Sequence, residues 1–443
     1  MSIPIQYLAG VHRSADIADA VERAVAERAL HPGDLLPTVR DLATELGVAP
    51  GTVAAAYRAL ATRGIVAGRG RQGTRVTAGP PLPTRNPAAI PEGIRNLASG
   101  TPDPALLPPL GPALRRLRPT EVTWGDARPD LERWTVLARK RLDAAGYPDG
   151  RVLAVSGALD GVERVLLAHL RPGDRVAVED PGFARVIDLV TALGLVPVPV
   201  AVDDVGIRPD AVAAVASGLD ALVLTPRAQN PFGAAVDEAR ADDLRHVLAA
   251  HPAILIIEDD HAGPIAGADA HPVVTVERRR WAIVSSVSKS LGPDLRLAAL
   301  SGDAVTIDRV EGRLRVGPGW VSHLLQSLVA DLWTDARTTG RVQHAAATYT
   351  ERRCALLDAL ATHDIVGHGR SGLNVWVPVP SEDLVLAGLQ AHGWAVSAGQ
   401  RFRLRTEPAV RISIATLLPS ESDHLAADLA TVLRPTSGAA TTV

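Results

Sequence analysis

Six short apolar runs alternate with longer segments of mixed polarity between residues 152 and 286. The runs consist mainly of valine, isoleucine, leucine and alanine at successive positions, as expected for strands that are buried on both faces. The segments between them are long enough to form helices. This alternation predicts an α/β fold with a largely parallel sheet. The predicted strands are VLAV (152–155), RVAV (175–178), LVPVPV (195–200), ALVL (221–224), AILII (253–257) and AIVSS (282–286).

The flanking sequence extends this fold and separates it from a second domain. We expect LRLAAL (295–300) to add an edge strand, and GLNVWVPV (372–379) and VRISIA (410–415) to be strands of a smaller α+β part. Upstream, residues 77–96 contain five prolines and no apolar periodicity, which is typical of a semi-stiff linker. The predicted parts are a first domain at 1–77, a linker at 78–96 and a second domain at 97–443, with a large part at about 97–340 and a small part at about 341–435.

The first domain has the pattern of three helices followed by a hairpin. Apolar residues recur at helical spacing through residues 17–25, and TVRDLATEL (38–46) is a second short helix that Gly47 ends. Pro50 opens a third helix. GIVAGRGRQGTRV (64–76) contains two β-prone runs around a Gly-Arg turn. This order indicates a winged helix-turn-helix.

Charge and composition narrow the class of partner. The formal net charge is only −3, so a basic footprint must be local. It occurs between Arg58 and Arg75, where five arginines stand without an acidic residue. The single cysteine fits a reducing compartment, and neither a signal peptide nor a run of about 18 apolar residues is present. We therefore expect a cytoplasmic protein that binds DNA, without a membrane partner or a metal site.

Lys289 is one of only two lysines, the other being Lys140, and the remaining 44 of the 46 basic residues are arginine. It lies among serines directly after the last apolar run, in VSKS. A primary amine can lose its charge and bond covalently to an aldehyde, whereas a guanidinium cannot. The retained lysine therefore predicts covalent chemistry.

Other suitable groups follow the remaining predicted strands. Ligands of parallel sheets lie outside the carboxyl ends of the strands. SGALDG after the first strand opens a helix that suits a phosphate, and the strands further along are followed by Phe183, by Asn230 and by EDDH (258–261). Pyridoxal 5′-phosphate (PLP) needs such a set, with a lysine for its aldehyde and a carboxylate for its pyridine nitrogen. The sequence predicts PLP as the cofactor.

Longer motifs resemble a known family. They are LPTVRDLATELGV, EDPGF, TPRAQNPFG, EDD and SVSKSLGPDLRLA, in the order found in that family. Residues from about 97 to 430 resemble fold-type I aminotransferases, and the N-terminal domain is similar to GntR-type winged helices. Over nearly its full length the chain resembles the MocR subfamily of GntR regulators.

The resemblance implies roles around the cofactor. Lys289 would bond to the aldehyde, Asp259 would pair with the pyridine nitrogen, and Asn230 would bond the 3-hydroxyl. Phe183 would stack on the ring. Strand register leaves open whether Asp259 or Asp260 points inward. The phosphate would be held by the backbone amides of Ala158 and Leu159, by the hydroxyl of Ser286 or Ser288, of which strand alternation admits one, and by Arg296.

Further positions bear on an effector and on turnover. Arg411 in AVRISIA matches the family's arginine for a substrate or effector carboxylate, and Arg185 is a second candidate. His261, which we include among the cofactor contacts, stands where the family commonly has tyrosine, and Ala228 stands where histidine is common. These departures are compatible with PLP binding but put transamination in doubt.

For DNA, the resemblance implies that the third helix enters the major groove and the wing contacts the backbone or minor groove. Arg40 matches a family arginine that contacts DNA from the second helix. Base readout depends on few side chains such as Thr52, because VAPGTVAAAY offers mostly small residues. The other expected DNA contacts are Arg58, Arg69, Arg71 and Thr74.

These features favour a PLP-dependent, homodimeric transcriptional regulator whose second domain senses PLP or an amino compound such as an amino acid. The alternative is an active aminotransferase that transfers an amino group between an amino acid and a 2-oxo acid. A third hypothesis makes PLP itself the signal and vitamin B6 supply genes the targets.

Overall fold

The computed structural model describes residues 7, 11–27, 29–62, 65–68, 73–77, 90–118 and 130–434. The chain divides into two compact units. Most of the predicted linker lies outside the described residues, so the boundaries at 77 and 96 stay predictions. The first unit comprises Met1–Ala88, Leu170–Arg175 and Asp188–Pro197, and the second comprises Ala89–His169, Val176–Ile187 and Val198–Val443.

The N-terminal segment of the first unit is a winged helix-turn-helix. Thr38 caps the second helix by accepting a hydrogen bond from the Asp41 N–H. Gly47 ends that helix in the left-handed region, with φ of +63°, where glycine avoids a steric penalty. Leu36 N donates to Thr74 O (2.8 Å), which attaches the hairpin to the chain before the second helix. The elements are α1 Ser14–Ala26, α2 Val39–Leu46, α3 Pro50–Thr62, β1 Val66–Gly68 and β2 Thr74–Val76.

An eight-stranded sheet has the strand order β4-β11-β10-β9-β8-β5-β6-β7. The β10–β9, β9–β8 and β8–β5 pairs are parallel, as the alternation predicts. A short separate strand, β3, pairs with β13 (Trp394–Ala395) of the C-terminal part. The strands are β3 Arg95–Asn96, β4 Arg151–Val155, β5 Arg175–Asp180, β6 Val196–Asp203, β7 Gly206–Ile207, β8 Ala221–Leu224, β9 Leu255–Asp260, β10 Trp281–Ser286 and β11 Ala298–Gly302.

The expectation of an edge strand at LRLAAL is wrong. β11 lies inside the sheet, antiparallel to both β10 and β4. The chain reverses after Lys289 and returns beside the strand it has just left. Ala298, Ala299 and Leu300 are all buried, which suits a position with neighbours on both edges and both faces.

The small C-terminal part has a three-stranded sheet of order β12-β15-β14, with the predicted strands in GLNVWVPV and VRISIA paired antiparallel. Within the described ranges, no helix is long and apolar enough to span a membrane. The strands are β12 Asn374–Pro378, β13 Trp394–Ala395, β14 Ser397–Ala398 and β15 Ala409–Ser413. The helices are α4 Gly111–Arg116, α5 Glu132–Ala144, α6 Ala158–His169, α7 Ala184–Ala192, α8 Pro209–Val215, α9 Glu238–Ala249, α10 Ala304–Val316, α11 His323–Thr334, α12 Ala336–Ala361, α13 Glu382–Ala391 and α14 Ser422–Leu433.

Candidate functional site

Lys289 lies just beyond the carboxyl end of β10, in the turn that leads back to β11. It is half-buried, and its Nζ donates a hydrogen bond to the carbonyl oxygen of Gly100. Burial, together with the positive charges of Arg411 and Arg185, lowers the pKa of Lys289 to about 8. A usable fraction of the amine is therefore uncharged near neutral pH, as a nucleophilic lysine requires.

The adjacent strand, β9, ends in three consecutive acidic residues that have different surroundings. Glu258 accepts hydrogen bonds from two backbone N–H groups, and Asp260 pairs with Arg227 at 2.8 Å. Asp259 is 3% exposed, and none of the described residues donates to its Oδ1. Burial and the charges of Asp260 and Glu179 raise the pKa of Asp259 to about 7.

This difference bears on which aspartate serves a ligand. Asp260 is paired with Arg227, whereas Asp259 has an oxygen that accepts no hydrogen bond from the described residues. A buried carboxylate without a donor suits a positively charged N–H group, such as a protonated pyridine nitrogen. The structure thus brings Lys289, and a buried acid with one oxygen that no described residue engages, to the ends of two neighbouring strands.

The turn between β4 and α6 forms the candidate phosphate-binding site. Gly157 has φ of +100°, and a Cβ there would lie 3.0 Å from Nη2 of Arg296. Arg296 Nη2 donates to Ser156 O at 3.1 Å. The turn leads directly into the first residues of α6, Ala158 and Leu159, whose N–H groups have no intrahelical acceptor because they belong to the first turn. An arginine beside a helix N-terminus is a favourable anion site.

The two candidate serines do not exclude each other. Ser286 pairs with Ala298 of β11, and Ala298 pairs with Val155 at the end of β4. Ser286 is therefore level with the start of the turn between β4 and α6. The Ser286 and Ser288 hydroxyls are 3.2 Å apart. The argument that strand alternation admits only one is wrong, because residues two apart on a strand point to the same face, and Ser288 in any case lies in the turn after β10. Whether one or both hold a phosphate stays a prediction.

The residues expected around the ring come from three loops. Phe183 is half-buried in the loop between β5 and α7. Asn230 accepts hydrogen bonds from Arg411 and Asn374 through its Oδ1. His261 Nδ1 lies 4.0 Å from Asp259 Oδ2, and burial together with the charge of Lys289 lowers its pKa to about 4, so the imidazole is neutral at physiological pH.

Sequence reasoning missed a buried pair that joins two of these loops. Glu179 accepts from Thr225 N (3.0 Å) and from Gln229 Nε2 (3.1 Å). Gln229 also donates to Pro181 O at 2.8 Å. Burial raises the pKa of Glu179 to about 7. The pair ties the loop that carries Phe183 to the loop that carries Asn230, and its signal was its presence inside the EDPGF and QNP motifs.

Arg411 is a buried cation that has no counterion among the described residues. It is 5% exposed on β15, donates to Asn230 Oδ1 (3.1 Å) and to Ala98 O, and lies over the Phe402 ring at 4.7 Å. No carboxylate of the described chain pairs with it, and its Nε has no partner there. Burial lowers its pKa to about 10. A desolvated guanidinium in this state favours an anionic ligand. Arg185 is exposed at the start of α7.

The candidate DNA contacts are on the surface of the first unit. Arg40 on α2 and Arg58 on α3 are exposed, and Thr52 and Thr74 are half-buried. Arg75 donates to the backbone oxygen of Gly33 at 2.7 Å and so helps to hold the wing. The remaining wing candidates, Arg69 and Arg71, lie outside the described residues.

Two family models match the chain. Residues 13–76 match bacterial regulatory proteins of the gntR family, and residues 138–429 match aminotransferase class I and II. The chain is 39% identical over 420 residues to the vitamin B6 salvage pathway transcriptional repressor PtsJ of Salmonella typhimurium, covering 94% of this chain and 97% of the relative. It is 27% identical to the HTH-type pyridoxine biosynthesis transcriptional regulator PdxR of Corynebacterium glutamicum, covering 86% and 87%.

Two aminotransferases are among the solved structures with the same fold. Kynurenine aminotransferase of Pyrococcus horikoshii superposes with a TM-score of 0.69 at 19% identity, covering 78% of this chain and 92% of that one. The α-aminoadipate aminotransferase LysN of Thermus thermophilus, solved with N-(5′-phosphopyridoxyl)-L-leucine, gives 0.67 at 22% identity, covering 78% and 93%.

The lysine, the buried Asp259 with its Oδ1 free of any described donor, and the arginine at a helix N-terminus fit PLP. The matched families add DNA binding. The chain therefore belongs to the MocR subfamily of GntR-type transcriptional regulators, in which a DNA-binding winged helix-turn-helix is joined to a PLP-binding domain of the aminotransferase fold.

Proposed function

We propose that this regulator represses genes of vitamin B6 supply and that PLP is its signal. The single observation that carries the proposal is the buried, unpartnered Oδ1 of Asp259 near Lys289, because a ligand with a cationic ring nitrogen and an aldehyde would engage both. The names of the two regulators above, which refer to vitamin B6 salvage and to pyridoxine biosynthesis, support the choice of target genes.

In this proposal each residue of the site has a defined part. Lys289 holds the cofactor covalently, Asp259 keeps its ring nitrogen protonated, and Asn230 donates to its 3-oxygen. Arg296 and the N-terminus of α6 bind its phosphate, with Ser286 and Ser288 beside them. When bound, PLP supplies an aldehyde that condenses with primary amines.

A second ligand is proposed for Arg411. Its buried guanidinium lacks a counterion among the described residues, so it suits the carboxylate of an amino acid or a related compound. Arg185, whose charge lowers the pKa of Lys289, is a weaker candidate for the same ligand. This effector would act together with PLP rather than replace it.

Signal transfer is proposed to begin in the segment that follows the linker. Ala98 O accepts from Arg411 and Gly100 O accepts from Lys289, while Leu97 N is bonded to Ala395 O and Asp103 N to Tyr349. Ligands that bind Arg411 and Lys289 would break the hydrogen bonds of these side chains to residues 98–100. That segment would then be free to move between Leu97 and Asp103, whose backbone N–H groups stay bonded. Such a change couples ligand and DNA affinities if the two states of the chain differ in both. The proposed assembly is a homodimer that reads two half-sites.

The test is DNA binding by the full chain to its own upstream region, with and without PLP. We expect PLP to change the affinity of the wild type at least fivefold and to leave Lys289→Ala unaffected. Lys140→Ala, at the chain's other lysine, is the matched control and should behave like the wild type. Absence of any DNA footprint, combined with sustained conversion of an amino acid to its keto acid when a second 2-oxo acid is supplied to accept the amino group, would instead favour the aminotransferase.

A further inference from the structure

We propose that Asn374 is a ligand-binding residue whose side-chain carbonyl accepts a hydrogen bond from the compound held by Arg411. It thereby selects carboxylates that also carry an O–H or N–H donor near the carboxylate, such as hydroxy and amino acids. This inference rests on the carboxylate site proposed above and specifies the chemical class of its ligand.

Asn374 and Arg411 lie on the same face of the small sheet. Asn374 begins β12 and is paired with Ser413 of β15, and Arg411 is two residues before Ser413 on that strand. Side chains at i and i+2 of a strand, and those of cross-strand partners, point to one face. Both residues are buried, at 6% and 5% exposure.

A chain of hydrogen bonds determines how the two neighbouring amides are oriented. Arg411 Nη1 only donates, so the atom of Asn230 that lies 3.1 Å away must be its oxygen. That same oxygen faces Asn374 at 3.4 Å, so Asn374 must present its NH2 group there. Flipping either amide would place two donors or two acceptors against each other.

These orientations leave one polar group of each amide available to a ligand, a donor on Asn230 and an acceptor on Asn374. Asn230 keeps its NH2 group for a ligand acceptor, which agrees with its proposed bond to the 3-oxygen of PLP. Asn374 keeps its carbonyl oxygen, which is buried and receives no hydrogen bond from any described residue. Buried acceptors in folded proteins are normally paired, so this atom indicates a missing donor.

Three buried atoms of this one site have no hydrogen-bond partner among the described residues. They are Asp259 Oδ1, Arg411 Nε and Asn374 Oδ1, and they present an acceptor, a donor and a second acceptor. PLP accounts for the first and a carboxylate for the second. Asn374 requires a donor that neither a simple carboxylate nor the cofactor's phosphate supplies.

The test uses carboxylates that cannot react with the cofactor. Calorimetry on the full-length, PLP-loaded protein compares propanoate, L-lactate and 3-hydroxypropanoate, which differ in the presence or position of a hydroxyl. We expect the wild type to bind at least one hydroxy acid about five- to tenfold more tightly than propanoate, as one hydrogen bond implies. Asn374→Leu, which keeps the approximate volume but loses the acceptor, should bind all three within about twofold.

The controls separate this inference from the proposed function. Ser422→Ala removes another buried unpartnered oxygen, at the start of α14, and should leave the preference unchanged. Arg411→Ala should lose all three ligands. A hydroxy-acid preference that survives in Asn374→Leu, or is absent from the wild type, overturns the role of Asn374. Carboxylate binding that survives in Arg411→Ala, or is absent from the wild type, overturns the carboxylate site itself, whereas the PLP response on DNA is measured separately.

Discussion

The candidate DNA-binding surface and the candidate cofactor site both carry positive charges, but in opposite environments. Arg40 and Arg58 are exposed to solvent on neighbouring helices. Lys289 and Arg411 are largely withdrawn from water, and burial lowers their pKa values to about 8 and about 10. Solvated charges attract any polyanion and depend on salt, whereas desolvated charges need a ligand that matches their positions.

The acidic residues of the site extend this contrast. The first unit's charged residues are mostly at its surface, whereas Asp259, Glu179 and Glu258 are buried, and burial raises the pKa of each to about 7. Ionisation of these buried acids therefore lowers the stability of the folded protein. Such a cost is tolerated at a site that a ligand completes.

The largest effect is expected at Lys289. Lys289→Ala should abolish the covalent absorption band of PLP, because no other described residue near the site offers an amine. Lys140→Ala should keep it. A retained band in Lys289→Ala would show that the covalent residue is wrongly assigned.

Salt should separate the two kinds of charge. Raising the salt from 50 to 200 mM should weaken DNA binding on the order of 100-fold or more, since each phosphate contact releases counterions. PLP binding should change by less than about threefold, because Asp259 is buried and Lys289 is largely desolvated, so salt screens their interactions only weakly. Fluorescence anisotropy and absorbance titrations on one preparation measure both. Equal salt dependence of DNA binding and PLP binding would contradict the distinction between exposed and desolvated charges.

The rate of covalent PLP capture should depend on pH through Lys289. The reacting form is the neutral amine, and the pKa of Lys289 is about 8 in the ligand-free protein. Capture should accelerate on the order of tenfold per pH unit below that value and level off above it. Stopped-flow absorbance between pH 6 and 9 provides the measurement, and a profile that is flat in this range would contradict a desolvated lysine.

Asp259→Asn should stabilise the ligand-free protein while weakening PLP binding. The folded-state pKa of Asp259 is about 7, above the usual value, so the unfolded chain loses this proton at lower pH and stability falls as pH rises toward 7. Removing the charge should raise the free energy of unfolding by about 1–3 kcal/mol at pH 8 and by less at pH 5.

Asp260→Asn is the matched control for this substitution. It should be destabilising at both pH values, because it breaks the buried pair with Arg227. Urea unfolding at the two pH values distinguishes the neighbours. The opposite order of the two variants would contradict the division of roles between them.

The smallest predicted effect concerns the backbone of the DNA-binding domain. Gly47→Ala should cost about 1 kcal/mol, because φ is +63° although a Cβ would meet no atom within 4 Å. Gly51→Ala, on α3 and equally open, should be neutral or slightly stabilising. Thermal unfolding compares them, and equal melting temperatures would remove the backbone argument.

Much of the fold could be predicted because its signals are local. Apolar runs identify buried strands whatever their partners, and Gly47 with Pro50 marks the turn between two helices. The position of β11 could not be read in this way, because pairing depends on where the chain after Lys289 returns. The two serines were separated wrongly for a different reason, since residues two apart on a strand share a face. Only the structure shows that β10 ends at Ser286.

The sequence by itself determined which chemical groups stand at the ends of the strands and that the one lysine among serines suits a covalent cofactor. Only the tertiary structure decided which groups are left without partners. Asp260 is engaged by Arg227 from another loop, and Arg411 orients Asn230 and, through it, Asn374. These contacts join residues far apart in the chain, and the desolvation that shifts their pKa values exists only once the domain is folded.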